Sequence, residues 1–482
     1  MSVLPSGRRR TLLLGSAGAA LAACGGGGSS PAPTPAPTPA PTPAPGAAAV
    51  ARLRAALAGA TLPVPQAQPI DITHGAANNA VSSLGSEAVL MPPALGIGVN
   101  PNPVTVADVD ALGGFRRRQW TPFNAGFIAT QPGGGSWYQA MTFQHRHATS
   151  QNQTPTAFHF VFTGQAFELL FGGMALQMVC LVDGEYATPQ AIERTWVGGR
   201  AGDPLAYDTF TRLDFGSRAQ RRVSLFAAST LVVRAFAFAP GDTVQPQDLS
   251  AAPVMVVQAD SYGAATSLHW PWGAVFQEAG LRLGVLQVDI DTQGGTGYAP
   301  NSVLPLASDT FGGRLADMTR LPADLFLAAG GINDNSSNAL PPYASAEAAR
   351  AGFAAAVQQY FRDLRAALPD AVIAALGPWQ PNAAFRPEVA LDKADLILAA
   401  LQAVAGPWIF VDNLRGGWRT SSGASATGGG AWQTGTGTVA APRGDGNGDL
   451  YVSADGTHPS AAGASYLAAR IADALRAAIL AL

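Results

Sequence analysis

From Val254 onward, short apolar runs alternate with stretches whose apolar residues recur every three or four positions. The runs Val254–Ala259, 283–288, Leu325–Ala329, Val372–Leu376 and Trp408–Val411 have strand length and little polar alternation, which predicts strands covered on both faces. Between them a helix is expected over 264–279. A clearer one spans 346–368, where Ala349, Phe353, Val357, Tyr360, Leu364 and Leu368 share a face. A last helix over 460–480 closes the chain. Helices between short buried strands predict an α/β domain over 249–482: a parallel five-stranded sheet with helices on both faces.

Upstream the period changes. Residues 156–240 carry short β-branched and aromatic runs such as TAFHFVF and MALQMVCLVDGEY, separated by turn residues, with Asp183-Gly184 as a hairpin signal. This pattern predicts an antiparallel β-sandwich-like domain, and its expected span is 47–248. Apart from a short helix near 49–58, residues 47–150 are rich in Gly, Pro and Asn with scattered aromatics, Trp120, Phe123, Trp137 and Tyr138. These aromatics serve either to cover the next domain or to line a glycan surface, and covering is the commoner use.

Composition narrows the function. The chain has 482 residues, 48% hydrophobic and 13% charged, with a formal net charge of -3. Lys393 is its only lysine. Without a basic patch beyond Arg116–Arg118, nucleic acid is not an expected partner. Residues 1–24 read as an export leader: Arg8, Arg9 and Arg10, a short apolar stretch, then Leu21-Ala22-Ala23-Cys24, which resembles a bacterial lipobox. The arginines also resemble a twin-arginine signal, although any positive leader start explains them. A lipidated Cys24 would make the chain an exported lipoprotein, membrane-anchored and facing the periplasm or cell surface. Residues 25–46 form a Pro/Ala/Thr-rich spacer, which at about 3.1 Å per residue would reach on the order of 50 Å. The remaining cysteine, Cys180, lies in an apolar run and reads as a small buried hydrophobe, which excludes a cysteine-built metal site.

The candidate chemistry collects where strands end. Asp260-Ser261 follows the first strand, Gly294 to Tyr298 the second and Gly331-Ile332-Asn333-Asp334 the third; Asp455-Gly456-Thr457-His458-Pro459 precedes the last helix. Strand ends are where open α/β sheets place reacting groups. Serine attack on a carbonyl needs a base, a group that orients the base, and donors for the oxyanion; these four stretches offer all three. Taken singly, each stretch is ordinary turn or helix-cap chemistry. His269 competes as a base on sequence distance, although packing beside Trp270 and Trp272 is its simpler role. His145 and His147 lack a third ligand, so no metal is expected there.

Taken together, in order and over some 230 residues, these stretches resemble the SGNH (GDSL-type) hydrolases. Asp260 and Ser261 match the Gly-Asp-Ser motif with Ala259 in place of Gly, a departure that bears on local packing. Gly331 to Asp334 match Gly-x-Asn-Asp in full, and Asp455 with His458 match Asp-x-x-His. The resemblance implies a flavodoxin-like domain with Ser261 as nucleophile, His458 as base and Asp455 as its orienting carboxylate. The oxyanion would be held by the N–H groups of Ser261 and Gly297, with Gly295 as the alternative glycine, and by the Asn333 amide. No cofactor or metal is implied. A β-sandwich before such a domain resembles carbohydrate esterases, so the expected substrate is an acylated carbohydrate, with O-acetyl groups removed from a polysaccharide. A lipase or broad esterase on longer acyl chains, and an inactive surface glycan-binding protein, are the alternatives. The Gly/Ser/Thr-rich stretch 413–450 reads as a lid or insertion. Asp445, Asn447 and Asp449 begin like a calcium loop but lack its closing Glu.

Overall fold

The antiparallel part comprises β1 (Asp71–Ala76), β2 (Ala88–Leu90), β3 (Tyr138–Gln139), β4 (Thr156–Gly172), β5 (Ala175–Val182), β6 (Glu185–Tyr186), β7 (Ile192–Thr195), β8 (Thr209–Ala227), β9 (Val232–Phe238) and β10 (Thr243–Pro246). These strands come from a computed structural model that describes residues 45–61, 63, 70–76, 88–90, 138–139, 156–172, 175–188, 192–195, 209–227, 232–239, 241–263, 274–302, 305–319, 322–381 and 387–482. The leader, Cys24, the spacer up to residue 44, and Trp120, Phe123, Trp137, His145, His147 and His269 lie outside the described residues. Hydrogen bonding makes the ten strands one sheet, in which the long β4 and β8 run side by side. Their register shifts between Gly164 and Ala166. On one side of the shift the pair is flanked by β5 and β10, on the other by β1 and β9. The runs TAFHFVF and FELLFG are therefore one continuous strand, because the interruption at Gly164 is a bulge that bends the strand without ending it. Phe160, Phe162 and Phe167 pack edge to face beside it.

The second sheet contains β11 (Val254–Ala259), β12 (Gln287–Thr292), β13 (Leu325–Ala329), β14 (Val372–Leu376), β15 (Trp408–Val411), β16 (Gly417–Thr420) and β17 (Ser425–Thr427). Its order is β12-β11-β13-β14-β15-β16-β17. The first five strands are parallel and doubly wound, and every residue in them is buried. Two differences from the expected five strands have physical causes. Strand β12 begins at Gln287, because Leu283 and Gly284 (φ 75°) form the turn that ends helix Val275–Arg282. The polar residues Gln287, Asp289 and Asp291 are buried in the strand; Gln287 Nε2, for instance, donates to the carbonyls of Leu249 and Ala252. The second difference is at the other edge, where β16 and β17 add antiparallel strands drawn from the stretch expected to be a loop.

The first described helix lies within the span expected of the β-rich domain. Helix Ala47–Gly59 buries Ala49, Leu53 and Leu57 in one cluster with Met255, Val257 and Ile479 of the α/β part. Arg54 Nη2 donates to the Leu480 carbonyl, and Arg52 pairs with Asp324 just before β13. The helix thus covers the helix Ala461–Ala481, whose apolar stripe would otherwise face water on that side. Leu53 is 1% exposed, so Leu53→Ala is expected to lower the stability of the α/β core by about 2–5 kcal/mol. Urea unfolding followed at the core tryptophans checks this; an unchanged midpoint would mean the helix is not part of the cooperative unit. The described residues belong to one compact unit, Pro43–Leu482, in which Val179, Leu181 and Phe226 of the antiparallel sheet pack with Leu281. Among the described residues, no helix is long and apolar enough to cross a membrane.

Candidate active site

Strand β11 lies between β12 and β13, with Ala259 in register with Thr292 and Ala329. The loops that follow these three strands therefore start at one level of one sheet edge, about 5 Å apart from strand to strand. Ser261 opens the first of them and is half-buried. Its turn is held from beneath: the Tyr262 N–H donates to Asp260 Oδ1 (3.0 Å), the Gly263 N–H to the Asp260 carbonyl (3.0 Å), and Thr292 Oγ1 to that same carbonyl (2.6 Å). Ala259 packs directly against Gly263, where a Cβ would stand 2.7 Å from that of Ala259, so the turn requires a glycine at that position.

Asp455 and His458 form a self-contained turn. Asp455 Oδ1 accepts from Ser453 Oγ (2.6 Å) and from the N–H groups of Thr457 (2.8 Å) and His458 (2.9 Å), while Oδ2 lies 2.6 Å from His458 Nδ1. Burial pushes the Asp455 carboxyl up, but the hydrogen bonds from Ser453, His458 and the backbone outweigh it and hold the group well below the usual carboxylate range. A carboxylate bound to Nδ1 leaves Nε2 as the ring nitrogen able to take a proton. The link to Ser261 is its neighbour Tyr262, whose hydroxyl donates to the Thr457 carbonyl. Tyr262 is itself clamped by stacking on Trp379 at 4.5 Å, with its ring 5.9 Å from that of His458.

The glycine loop after β12 is tied to the turn after β13. Asn333 Nδ2 donates to the Thr296 carbonyl (3.0 Å), and the buried Asp334 carboxylate accepts from the N–H groups of Tyr298 (3.2 Å) and Ala299 (2.7 Å). Gly297 lies directly against Asp334, where a Cβ would meet the carboxylate at 2.1 Å. Because the peptide is planar and trans, the Gly297 N–H points opposite to the Thr296 carbonyl that Asn333 holds. Gly297 is thus required for close packing. Gly295 (φ 78°), the other glycine the sequence offered, occupies the preceding turn, with its carbonyl held by Asn301 Nδ2.

Under this edge the motif residues Asp260 and Asp334 are buried with three charges from outside the motifs, Asp291, Arg314 and Lys393. Arg314, 1% exposed, pairs with Asp291 and donates to Thr296 Oγ1 (3.0 Å), while Lys393 Nζ donates to the Gly331 carbonyl (2.8 Å). Among them sits Asp260, whose Oδ2 has no hydrogen-bond partner among the described residues. Burial, reinforced by nearby Asp334 and opposed by Arg314, pushes its carboxyl up to about 7. An acid raised in the folded state loses stability over the pH range in which the folded chain keeps a proton that the unfolded chain has lost. That contribution is fully present below about pH 4 and is lost as pH rises through about 7, an effect of about 4 kcal/mol. Asp260→Asn keeps the acceptor for Tyr262 and removes the titration. Its stability relative to wild type is expected to rise between pH 4 and 7; parallel pH curves for the two proteins would refute the assignment. The sequence signal for the buried set was slight: a lone lysine inside an apolar helix, and Arg314 in a short one.

The stretch 413–450 is ordered. Beyond β16 and β17 it folds on its own acidic side chains: Asp445 accepts from Thr436, Asp449 from the N–H groups of Arg443 and Gly444, and Asn447 from Thr434. These oxygens serve the loop's own backbone and the Thr436 hydroxyl. Cys180 is 2% exposed, and burial pushes its thiol well up, as expected of a small core side chain.

No protein-family model matches the chain, and no curated protein matches it by sequence. Solved structures to which it is similar include a family two carbohydrate esterase from Clostridium thermocellum in complex with cellohexaose, at 13% identity and a TM-score of 0.46, covering 70% of this chain and 98% of that one. A family two carbohydrate esterase from Cellvibrio japonicus shows 13% identity and a TM-score of 0.45, over 71% and 95% of the two chains. An acetyl xylan esterase from Butyrivibrio proteoclasticus is similar at 12% identity and a TM-score of 0.40, over 71% and 97%.

Proposed function

We propose that the chain is a serine ester hydrolase that removes O-acetyl groups from a polysaccharide. The observation that carries the reaction class is the Asp455–His458 pair at 2.6 Å, joined through Thr457 and Tyr262 to the turn that presents Ser261. In this reading Ser261 Oγ attacks the ester carbonyl, and His458 takes its proton and returns one to the departing alkoxide. The acyl-serine is then hydrolysed by water activated in the same way. The oxyanion is held by the N–H groups of Ser261 and Gly297, with Gly295 as the alternative glycine, and by the Asn333 N–H not engaged with Thr296. Asp455 stays ionised through the neutral range, which suits a group that must stabilise imidazolium.

Support for a carbohydrate rather than a lipid substrate comes from the stretch 413–450. It is rich in Gly, Ser and Thr and mostly exposed, and such a surface suits a hydroxyl-rich ligand better than an acyl chain. The anchor proposed at Cys24 fits the same picture. Gly46 lies against Pro407, immediately before β15, at the sheet edge opposite Ser261.

The test is the initial rate on nitrophenyl acetate and nitrophenyl octanoate, with Ser261→Ala as the blank. Faster cleavage of acetate that depends on Ser261 supports the reading and leads to acetylated glycans. Preference for octanoate would replace it with a lipase. Absence of turnover by folded wild type would leave a glycan-binding protein.

A further inference from the structure

Lys393 is the only lysine in a chain whose other basic side chains are all arginine. It lies in the middle of helix Pro387–Gln402, on the face where Ala390, Ala394 and Ile397 enter the core, and is 6% exposed. Nζ donates to the Gly331 carbonyl at 2.8 Å. Gly331 has a φ of 119° and packs against Pro378, so that carbonyl is carried by a backbone conformation open to glycine. The buried Asp334 carboxylate interacts with the same ammonium. Burial lowers the Lys393 ammonium and raises Asp334, and in each case the partner's charge opposes the effect. A single cation thus acts on both ends of the Gly331-Ile332-Asn333-Asp334 turn, with Asn333 between them. Through Asp334 it also reaches the N–H groups of Tyr298 and Ala299, and hence the glycine loop. A compact ammonium suits this place where a planar, branched guanidinium would not.

We propose that Lys393 is a positioning residue for ester hydrolysis: its ammonium cross-ties the turn carrying Asn333 to the glycine loop, so that the oxyanion donors are set before substrate arrives. This role rests on the ester-hydrolase reading above. It concerns the transition state, so its loss is read in kcat and not in substrate affinity.

The experiment compares the full chain with its Lys393→Met and Lys393→Gln variants on nitrophenyl acetate, beside Ser261→Ala. Lys393→Met is expected to lower kcat by about 30-fold or more with KM within about twofold, and Lys393→Gln, which can still donate to Gly331, to lose less. Hydrogen exchange should quicken selectively in peptides covering residues 293–299. A kcat within about twofold of wild type in folded Lys393→Met, while Ser261→Ala is inactive, overturns this role and leaves the hydrolase reading standing. Wild type without turnover overturns both. Should neither variant fold, the wild type still decides: isotope-labelled lysine gives one side-chain resonance. Its shift should stay essentially the same when a phosphonate is bonded to Ser261, and exchange in peptides covering residues 293–299 should already be slow in the free enzyme; a glycine loop that becomes protected only in the adduct overturns the proposal.

Discussion

Ser261→Ala and His458→Ala are each expected to lower kcat on acetate esters by about 10⁶-fold, and the double variant by little more than either alone. The reason is that nucleophile and base act as a unit: serine without its base is a poor nucleophile at neutral pH, and the base without serine has nothing to activate. Neither side chain contributes to the core. Ser261 is half-buried, and His458 is about a quarter exposed, with its turn closed by the Asp455 oxygens and by the Ser453 N–H on the His458 carbonyl. Both variants should therefore unfold at urea concentrations close to wild type. Single- and double-variant kinetics with an unfolding curve check this. Losses that simply multiply would show that the two residues do not share one step.

Asp455→Asn is expected to lower kcat by about 10⁴-fold while leaving the fold intact. Asparagine can keep the Oδ1 contacts to Ser453, Thr457 and His458, so the turn survives. At the other position its NH₂ would face His458 Nδ1, now 2.6 Å from a carboxylate oxygen. Two donors cannot share that contact, so Nδ1 must become the acceptor and the proton moves to Nε2, the nitrogen that should receive the Ser261 proton. The pH profile of kcat/KM should change along with the rate, because the variant also loses the charge that stabilises imidazolium. A variant that keeps most of the wild-type kcat would show that Asp455 only shapes the loop.

The sequence by itself determined the class of the fold and the identity of the candidate residues. Wholly apolar runs such as Leu325–Ala329 can only be strands covered on both faces, and the 3.6-residue stripe from Ala349 to Leu364 can only face a core, so the doubly wound domain was legible. The motif stretches were legible because Asp455 orients His458 within four residues of chain, and local geometry is written in local sequence. Pairing and charge contacts at long range were decided by the tertiary structure. Nothing at positions 47–59 says that the helix there packs on the last helix of the chain, because an apolar stripe does not name its partner. The bulge that fuses two runs into β4, and the hairpin that extends the second sheet, depend on which strand edges are left free. The buried charges Asp260, Asp291, Arg314, Asp334 and Lys393 come from strands, helices and the turns after them, spread over more than 130 residues. Outside the motifs, Asp291, Arg314 and Lys393 each read as an ordinary polar residue. Only the folded chain removes water from all of them at once, and that desolvation makes the charge of one carboxylate depend on the lysine of a distant helix.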